Sequence, residues 1–469
     1  MRRRGNGNLI FFGVIILLLV AAIAFLFTSK TFEREAPSIA ISDQIYWNLT
    51  SPLPIKITDE SGVKSVKISL VDEKGGVKSV KISLIDEKSS INLLTQKFEA
   101  PSEIVDLNLS FPKTGFGAQK DIYNIVIEAT DTSKWGFFLG NTQKKEVKIT
   151  VDNKKPDVNI LNHSYAITKG GSATVVFKAT DEMLKEVYIE TNYGKKFIPS
   201  KFVKDGYYAS LVAWPAQQGS FSADVVALDA AGNITKSKIR FFYQDKKYRI
   251  SKIKLDGQSR FLNEKIPELA QQYAKNYDAM SNLEKMKFVN ENLREANEKI
   301  ISQIAAKVDI DAAENFSVNK FYPLKNGKAV ASFGDHRYYT FEDKDVSESW
   351  HMGIDLASTQ RADIVANNDG TVEFAADNGI YGRNILINHG FGLFSLYGHC
   401  SSLNVKAGDS VKAGDVIANT GVTGLAMGDH LHFGMLVQGI EVRPEEWMDN
   451  GWMKDNVTGV LNAAKKMVE

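Results

Sequence analysis

The chain has one cysteine and almost no net charge, and both features narrow what it can be. A single thiol, Cys400, excludes an intramolecular disulfide, so buried apolar cores must hold the fold together. A formal net charge of +1 gives no large positive field to attract phosphates, and we expect no nucleic-acid partner. Apolar residues make up 43% and charged residues 24% of the 469 residues, which is typical of a globular chain with about three domains.

Charge is also missing from a run near the N-terminus. Residues 9–27 are apolar and uncharged, and Arg2, Arg3 and Arg4 precede them. As a helix this run would be about 28 Å long, which is enough to cross the hydrocarbon core of a membrane. The arginines are expected to stay in the cytoplasm, which places the chain after Ser29 on the other side. We favour an uncleaved anchor over a cleaved signal peptide, because a signal peptide normally has a shorter apolar core.

Two successive blocks, 36–152 and 156–246, show the alternation of apolar and polar residues that is typical of strands. Their lengths and polar turns suit antiparallel β-sandwiches. They resemble the immunoglobulin-like modules of bacterial envelope proteins, and we interpret them as spacers, with contacts to envelope proteins as the alternative. In the first block, residues 62–74 recur almost unchanged as residues 76–88. The sequence leaves open whether both copies join the sheet.

A segment of different composition, residues 257–308, is rich in Ala, Leu, Glu and Lys and predicts two helices. Pro267 suits the first position of one helix, where a missing N–H costs little. Ser281 is a suitable N-cap for the other, with Glu284 completing a capping box. We expect the apolar side of these helices to pack on a neighbouring domain.

The C-terminal part returns to short strands with tight glycine turns, which predicts a compact antiparallel β domain at residues 318–450. A helix is expected within residues 451–469, and residues 1–30 hold the cytoplasmic tip and the anchor. The expected fold is therefore mainly β. It consists of one transmembrane helix, two immunoglobulin-like sandwiches, a short helical segment and the C-terminal β domain.

Five of the seven histidines lie in about the last quarter of the chain, and their spacing suggests a metal site. His430 and His432 are two residues apart, so on a strand they share one face. His351 and Asp355 are four apart, which on a regular strand is about 13 Å, but Gly353 between them permits a bend. A catalytic zinc site needs three nitrogen or oxygen ligands and one open position, and these residue types suit it.

A further histidine, His399, follows a Tyr-Gly pair between the two motifs. In this order, the motifs and their flanking strands resemble the LytM/lysostaphin-type zinc endopeptidases over roughly residues 330–448. The resemblance implies one bound Zn²⁺ and a zinc-activated water. The implied metal ligands are His351, Asp355 and His432, and the implied catalytic pair that does not bind the metal is His399 and His430.

An imidazole suits both halves of the implied reaction, since it can accept the water proton and later protonate the leaving amine. The sequence leaves open which of the pair is the general base. We assign the remaining histidines, His163, His336 and His389, to structure. Cys400 is adjacent to His399 on a strand and therefore points to the opposite face, where we expect a small buried hydrophobe.

The resemblance implies a metalloendopeptidase that cuts peptide cross-links of peptidoglycan. With the anchor, it predicts a single-pass inner-membrane protein whose catalytic domain is periplasmic and cuts a D-Ala–diaminopimelate bond. The alternative is a catalytically silent scaffold or activator that recruits other cell-wall hydrolases. We also expect an upstream element, either the helical segment or the acidic stretch 342–345, to cover the groove in the resting chain. Endopeptidase against carboxypeptidase preference and oligomeric state stay open.

Overall fold

The structure is a computed structural model that describes residues 7–71, 90–111, 121–135, 137–311 and 313–469. The chain divides into two units with separate cores. The first contains residues 1–155 with the short stretches 183–185 and 228–234, and the second contains the rest. The second copy of the sequence repeat, residues 76–88, lies outside the described residues. Whether that copy joins the sheet stays open.

The first unit begins with helix α1 (Gly7–Thr28). Residues 10–28 have a mean hydropathy of 3.2, and their side chains are exposed. By length and composition this helix can cross a membrane, although a signal sequence has the same properties. The prediction of one long apolar N-terminal helix is confirmed.

The rest of the first unit is a six-stranded sheet in the order β1-β3-β5-β6-β2, with β4 paired to β3. All pairs are antiparallel except β2 with β6. Alternate apolar residues such as Ile57, Ile68 and Ile127 are fully buried, as the period-two pattern predicts. The immunoglobulin-like character of this block stays a prediction. The strands are β1 (Ser38–Ala40), β2 (Gln44–Trp47), β3 (Leu53–Val71), β4 (Ser90–Leu109), β5 (Ile122–Asp131) and β6 (Thr142–Val151).

The next block forms two four-stranded sheets, ordered β12-β13-β9-β7 and β11-β10-β14-β15, and a parallel pair, β8 with β16. Strand β9 is almost entirely buried, so side chains on both of its faces are covered. The strands are β7 (Asp157–His163), β8 (Ala166–Thr168), β9 (Ser172–Thr180), β10 (Leu184–Thr191), β11 (Lys196–Phe197), β12 (Ser200–Lys201), β13 (Tyr207–Ala213), β14 (Ala223–Asp229), β15 (Ile234–Lys238) and β16 (Phe242–Gln244).

The helical segment forms two continuous stretches, as predicted. The first joins a π-helical turn (Phe261–Lys265) to α2 (Ile266–Tyr273), so Pro267 is the second residue of α2. The second joins α3 (Asn282–Lys287), a π-helical turn (Phe288–Leu293) and α4 (Arg294–Ile304). The predicted capping box is present: the Glu284 N–H donates to Ser281 Oγ at 3.3 Å, and the Ser281 N–H donates to Glu284 Oε2 at 2.7 Å.

The C-terminal part is built on an eight-stranded sheet in the order β18-β21-β29-β25-β24-β23-β27, with β30 paired to β29. Two three-stranded sheets, β17-β19-β20 and β22-β28-β26, are formed by strands that alternate along the chain with those of the large sheet. The strands are β17 (Ile250–Lys254), β18 (Lys328–Ala331), β19 (Asp335–Phe341), β20 (Lys344–His351), β21 (Ile354–Ala357), β22 (Asp363–Val365), β23 (Gly370–Asp377), β24 (Arg383–Asn388), β25 (Leu393–Cys400), β26 (Ser402–Leu403), β27 (Ser410–Val411), β28 (Val416–Asn419), β29 (Leu431–Val437) and β30 (Ile440–Val442).

Three helices follow: α5 (Pro444–Trp447), α6 (Asn450–Met453) and, after a π-helical turn (Lys454–Thr458), α7 (Gly459–Val468). The upstream helices and the large sheet share one apolar core. The helices contribute Leu262, Ile266, Met286, Val289 and Ile301, and the sheet contributes Leu386, Phe394, Leu396 and Leu436. Each fully buried side chain of this kind stabilises the fold by about 1.5–3 kcal/mol, so the helices are an integral part of this core. The mainly β fold class is confirmed.

Candidate active site

Strand pairing brings the predicted site residues together. Strand β20 ends at His351, and β21 begins at Ile354, so the chain bends at the two residues between them. Strand β21 pairs with β29 so that Asp355 lies opposite His432. Strand β25 pairs with the other edge of β29, where Gly398 lies opposite His432. The next residue, His399, therefore lies beside the same pair of side chains. The bend that Gly353 was predicted to allow is therefore present.

Gly353 is needed for space as well as for the bend. A Cβ at this position would lie 2.5 Å from both Cε1 and Nε2 of the His432 ring, and 2.8 Å from the Phe433 carbonyl oxygen. Real Cβ atoms do not approach other heavy atoms this closely. The ring of His432 therefore occupies the volume that a side chain at position 353 would fill.

Three potential metal-ligand atoms lie close to one another. The distance from His351 Nε2 to Asp355 Oδ1 is 3.0 Å, that from His432 Nδ1 to the same oxygen is 2.9 Å, and the two ring nitrogens are 3.2 Å apart. Ligands of a tetrahedral zinc at about 2.0–2.1 Å lie about 3.3 Å from one another. The three atoms therefore have nearly the mutual spacing that a tetrahedral metal ion requires.

The hydrogen bonds around this cluster also favour a cation. Nδ1 of His351 lies 2.9 Å from the Ser332 carbonyl oxygen, to which it can only donate, so the neutral ring carries a lone pair on Nε2. That lone pair faces the carboxylate of Asp355. Burial lowers the pKa of His432 to about 4, although Asp355 opposes this shift. At neutral pH a second ring proton is therefore a poor link between this imidazole and the carboxylate. These residues fit a divalent metal ion.

The charge of Asp355 is well supported. Burial alone would raise the pKa of this carboxyl group, but the adjacent rings of His351 and His432 outweigh burial and hold the pKa far below its usual range. Nε2 of His432 is buried and has no hydrogen-bond partner among the described residues. Its other nitrogen, Nδ1, is the one that faces Asp355 and His351.

His399 and His430 present a matching pair of rings beside the three donors. Nδ1 of His399 donates to the Thr423 carbonyl at 2.8 Å, and Nδ1 of His430 donates to the Gly428 carbonyl at 2.7 Å. In the neutral form of each ring, this arrangement leaves a lone pair on Nε2. The ring centroids are 4.8 Å apart, and His430 Nε2 is 3.7 Å from Oδ1 of Asp355.

The backbone of His399 is unusual. Its φ of +64° lies in the left-handed region, which is uncommon for residues other than glycine and often occurs at functional sites. Burial, reinforced by His430 and His432, holds the pKa of His399 well below its usual value. The ring is therefore neutral at physiological pH, with Nε2 able to accept a proton.

A cavity of about 360 Å³ opens over this cluster. It is lined by all five predicted site residues and by Tyr381, whose hydroxyl donates to Glu441 Oε1 at 3.1 Å. Part of the wall comes from upstream elements that the sequence analysis did not assign to the site. That part consists of Ile253, Phe261, Arg294, Arg337 and Tyr339. No local motif marks these residues, because each reaches the cavity through long-range packing.

The other histidines and the cysteine do not line the cavity. His389 bonds the Asp369 carbonyl through Nδ1 and Ser395 Oγ through Nε2. His336 stacks on Trp350 with ring centroids 4.2 Å apart, and His163 bonds the Ser164 carbonyl. Cys400 is fully buried, and burial raises the pKa of its thiol to about 12, so it is an inert core residue.

The family comparison matches the segment that carries this geometry. The model described as peptidase family M23 matches residues 349–444, which include all five clustered residues. The chain carries a C-terminal M23 peptidase domain. The upstream residues that wall the cavity, such as Arg337 and Phe261, lie outside the matched M23 segment.

Relatives of the M23 domain have three kinds of name. The chain is 40% identical over 95 residues to an uncharacterized metalloprotease of Haemophilus influenzae, covering 20% of each protein. It is 37% identical over 94 residues to the DD-carboxypeptidase/endopeptidase Mpg of Neisseria meningitidis, covering 20% of this chain and 22% of that protein. It is 34% identical over 125 residues to the murein hydrolase activator NlpD of Salmonella dublin, covering 26% and 30%. The matched segment thus spans less than a third of each relative.

Proposed function

We propose that the M23 domain is a zinc-dependent endopeptidase that hydrolyses peptide cross-links of peptidoglycan. Helix α1 would anchor it in the inner membrane, with the domain in the periplasm and a D-Ala–diaminopimelate bond as its target. The observation that carries the proposal is the convergence of three ligand atoms within 3.2 Å of one another, beside two imidazoles whose Nδ1 atoms bond backbone carbonyls. The relative named as a DD-carboxypeptidase/endopeptidase supports the choice of bond.

The roles follow from the positions of the side chains. His351, Asp355 and His432 would hold Zn²⁺, which supplies a Lewis acid that brings the pKa of a bound water towards neutrality. His399 and His430 are held by backbone carbonyls so that Nε2 of each points into the cavity. One Nε2 would accept the proton of the attacking water, and the same nitrogen would then pass that proton to the leaving amine. The other ring, when protonated at Nε2, would donate a hydrogen bond to the developing oxyanion.

Metal content and activity together test these roles. We would purify the full-length chain in detergent, measure bound zinc by mass spectrometry, and incubate it with isolated peptidoglycan. Substitution of His351 or His432 by Ala should remove both zinc and muropeptide release. Substitution of His399 or His430 by Ala should leave zinc in place and reduce release by about 10²–10⁴-fold.

The matched control is His163→Ala, since His163 lies outside the cavity and should affect neither readout. Undiminished muropeptide release by the His430→Ala chain would overturn the proposed mechanism. Loss of zinc from the His399→Ala chain would overturn the division between metal ligands and proton carriers.

A second candidate is an activator of other cell-wall hydrolases, which the relative named as a murein hydrolase activator favours. An activator works through its surface and needs neither the metal nor the two imidazoles. It predicts no release by the chain alone, together with faster release by a separately purified peptidoglycan hydrolase. That stimulation should be equal for the wild-type and His430→Ala chains.

A further inference from the structure

The charges around the cavity are unequal in sign. Among the described side chains that line it, three carry a full charge at neutral pH: Asp355, Arg294 and Arg337. The carboxylate of Asp355 already lies in the metal cluster, 3.0 Å or less from two imidazole nitrogens. With a divalent cation in place the cavity has a positive excess, and it is suited to a substrate that carries a negative charge close to the cleaved bond.

The two arginines differ in how many of their guanidinium nitrogens contact neighbouring residues of the protein. Arg294 donates through Nε to the Asn290 carbonyl and through Nη2 to Asn290 Oδ1, both at 3.2 Å. Its Nη1 lies 3.8 Å from Glu298 Oε1. Burial raises the pKa of Glu298 and Glu441, and the charge of Arg294 opposes both shifts. Arg294 therefore balances buried carboxyl groups of the protein itself.

The side chain of Arg337 lines the cavity, and only part of its hydrogen-bonding capacity is used by neighbouring residues. Its Nε forms an ion pair with Asp335, 3.1 Å from Oδ2, and the other carboxylate oxygen of Asp335 accepts from Ser251 Oγ at 2.7 Å. Unlike Arg294, Arg337 makes this contact through Nε alone. This is the side chain's only hydrogen bond within the described part of the chain, so Nη1 and Nη2 are available to a ligand. Asp335, Arg337 and Ser251 lie on paired strands β17 and β19, which hold the guanidinium in place.

We propose that Arg337 binds a substrate carboxylate adjacent to the scissile amide. The inference deepens the proposed function and rests on it. In a D-Ala–diaminopimelate cross-link, the carbon attached to the scissile nitrogen also bears a carboxylate, whereas a bridge made only of glycine has none inside the bridge. A planar guanidinium with two free N–H groups matches a carboxylate in bidentate fashion. Arg337 therefore selects cross-links or peptide ends that carry this carboxylate.

The test compares two synthetic peptides with one D-Ala–diaminopimelate bond. In one the carboxyl group beside the scissile nitrogen is free, and in the other it is a carboxamide. Binding is measured by calorimetry with the zinc-loaded full-length chain in detergent, in a His430→Ala background that prevents turnover. We expect the free acid to bind about 10- to 100-fold more tightly than the amide, the range for a charge-assisted hydrogen bond to a carboxylate.

Three variants in this background isolate the arginine. Arg337→Gln should reduce the acid-to-amide ratio to about one, and Arg337→Lys should retain part of it, because the charge remains without the planar fork. The matched control is Lys254→Gln on strand β17, which pairs with the strand that carries Arg337. It removes an exposed cation 3.4 Å from Asp343 and should keep the full ratio. Zinc content and melting temperature show that each variant is folded.

The outcomes separate this inference from the proposed function. A parent chain that binds both peptides equally, or an Arg337→Gln chain that keeps the preference, would overturn the role of Arg337. If the chain with intact His430 cleaves neither peptide nor peptidoglycan, the endopeptidase proposal fails. The binding ratios still decide whether Arg337 recognises the carboxylate in that case.

Discussion

Substitution of Gly353 by Ala offers a sharp test of the metal site, because position 353 carries no ligand atom itself. The new Cβ would lie 2.5 Å from Cε1 and Nε2 of His432 and 2.8 Å from the Phe433 carbonyl oxygen. Both contacts are with the strand that carries a proposed ligand. The strain therefore falls on the position of His432 and leaves the chemical identity of every ligand unchanged.

The size of the effect follows from these distances. An ordinary Cβ contact begins at 3.4 Å, so the His432 ring or the backbone at position 353 must move by about 0.9 Å. Metal–ligand distances tolerate only about 0.2 Å, and displacements of about 1 Å can reduce a reaction rate by 10²-fold. We expect zinc affinity to fall by about 10- to 100-fold and folding stability by about 1–3 kcal/mol, the range for overpacking a core.

The assay is a zinc titration of metal-free full-length chain with a competing fluorescent chelator, followed by peptidoglycan digestion at saturating zinc. The matched control is Gly219→Ala, because a Cβ there meets nothing within 4 Å. An unchanged zinc affinity in the Gly353→Ala chain, with its fold intact, would refute the placement of His432 against Gly353 and thus the geometry proposed for the site.

Three further predictions use other parts of the structure. Leu431→Ala removes a fully buried side chain between His430 and His432 and should cost about 2–5 kcal/mol of stability, seen as a lower melting temperature. Burial raises the pKa of Glu446 to about 7, so stability should fall as pH rises from about 4.5 to 7, as the unfolded carboxyl group ionises first. The melting-temperature advantage of Glu446→Gln over wild type should therefore grow between pH 5 and pH 8, by the equivalent of up to about 3 kcal/mol, and a constant difference would contradict this. Deletion of residues 1–28 should move the chain from the membrane fraction to the soluble fraction, with unchanged zinc affinity; retention in the membrane would show that another segment holds it.

Sequence reasoning succeeded where local geometry decides the structure. The two-residue spacing predicts His430 and His432 on one side of a strand; in the structure His430 directly precedes β29, His432 lies on it, and both line the cavity. Gly353 permits the bend between β20 and β21. The capping box at Ser281 is equally local. By contrast, the left-handed backbone of His399 could not be predicted, because a surrounding structure must hold a conformation that the residue itself disfavours.

The upstream wall of the cavity was beyond sequence reasoning for a different reason. Strand β17 pairs in parallel with β19, so Ser251 lies opposite Arg337, 86 positions later in the chain. Such a pairing depends on the global topology, and neither strand has a local pattern that names its partner. The sequence therefore indicated that something upstream lies near the groove, but it could not indicate that the contributions include an arginine.

This wall bears on the expected cover over the groove. The helices that contribute Phe261 to the cavity also bury Ile266, Met286 and Val289 in the core of the large sheet. At about 1.5–3 kcal/mol for each buried side chain, a chain starting near Val318 would lose stability comparable to the 5–15 kcal/mol that holds a typical domain folded. Inactivity of that truncated chain would then reflect unfolding, and it would say nothing about inhibition. The cover hypothesis is better tested by Phe261→Ala, because Phe261 lines the cavity, is only partly buried against the shared core, and its substitution keeps both helical stretches in the chain.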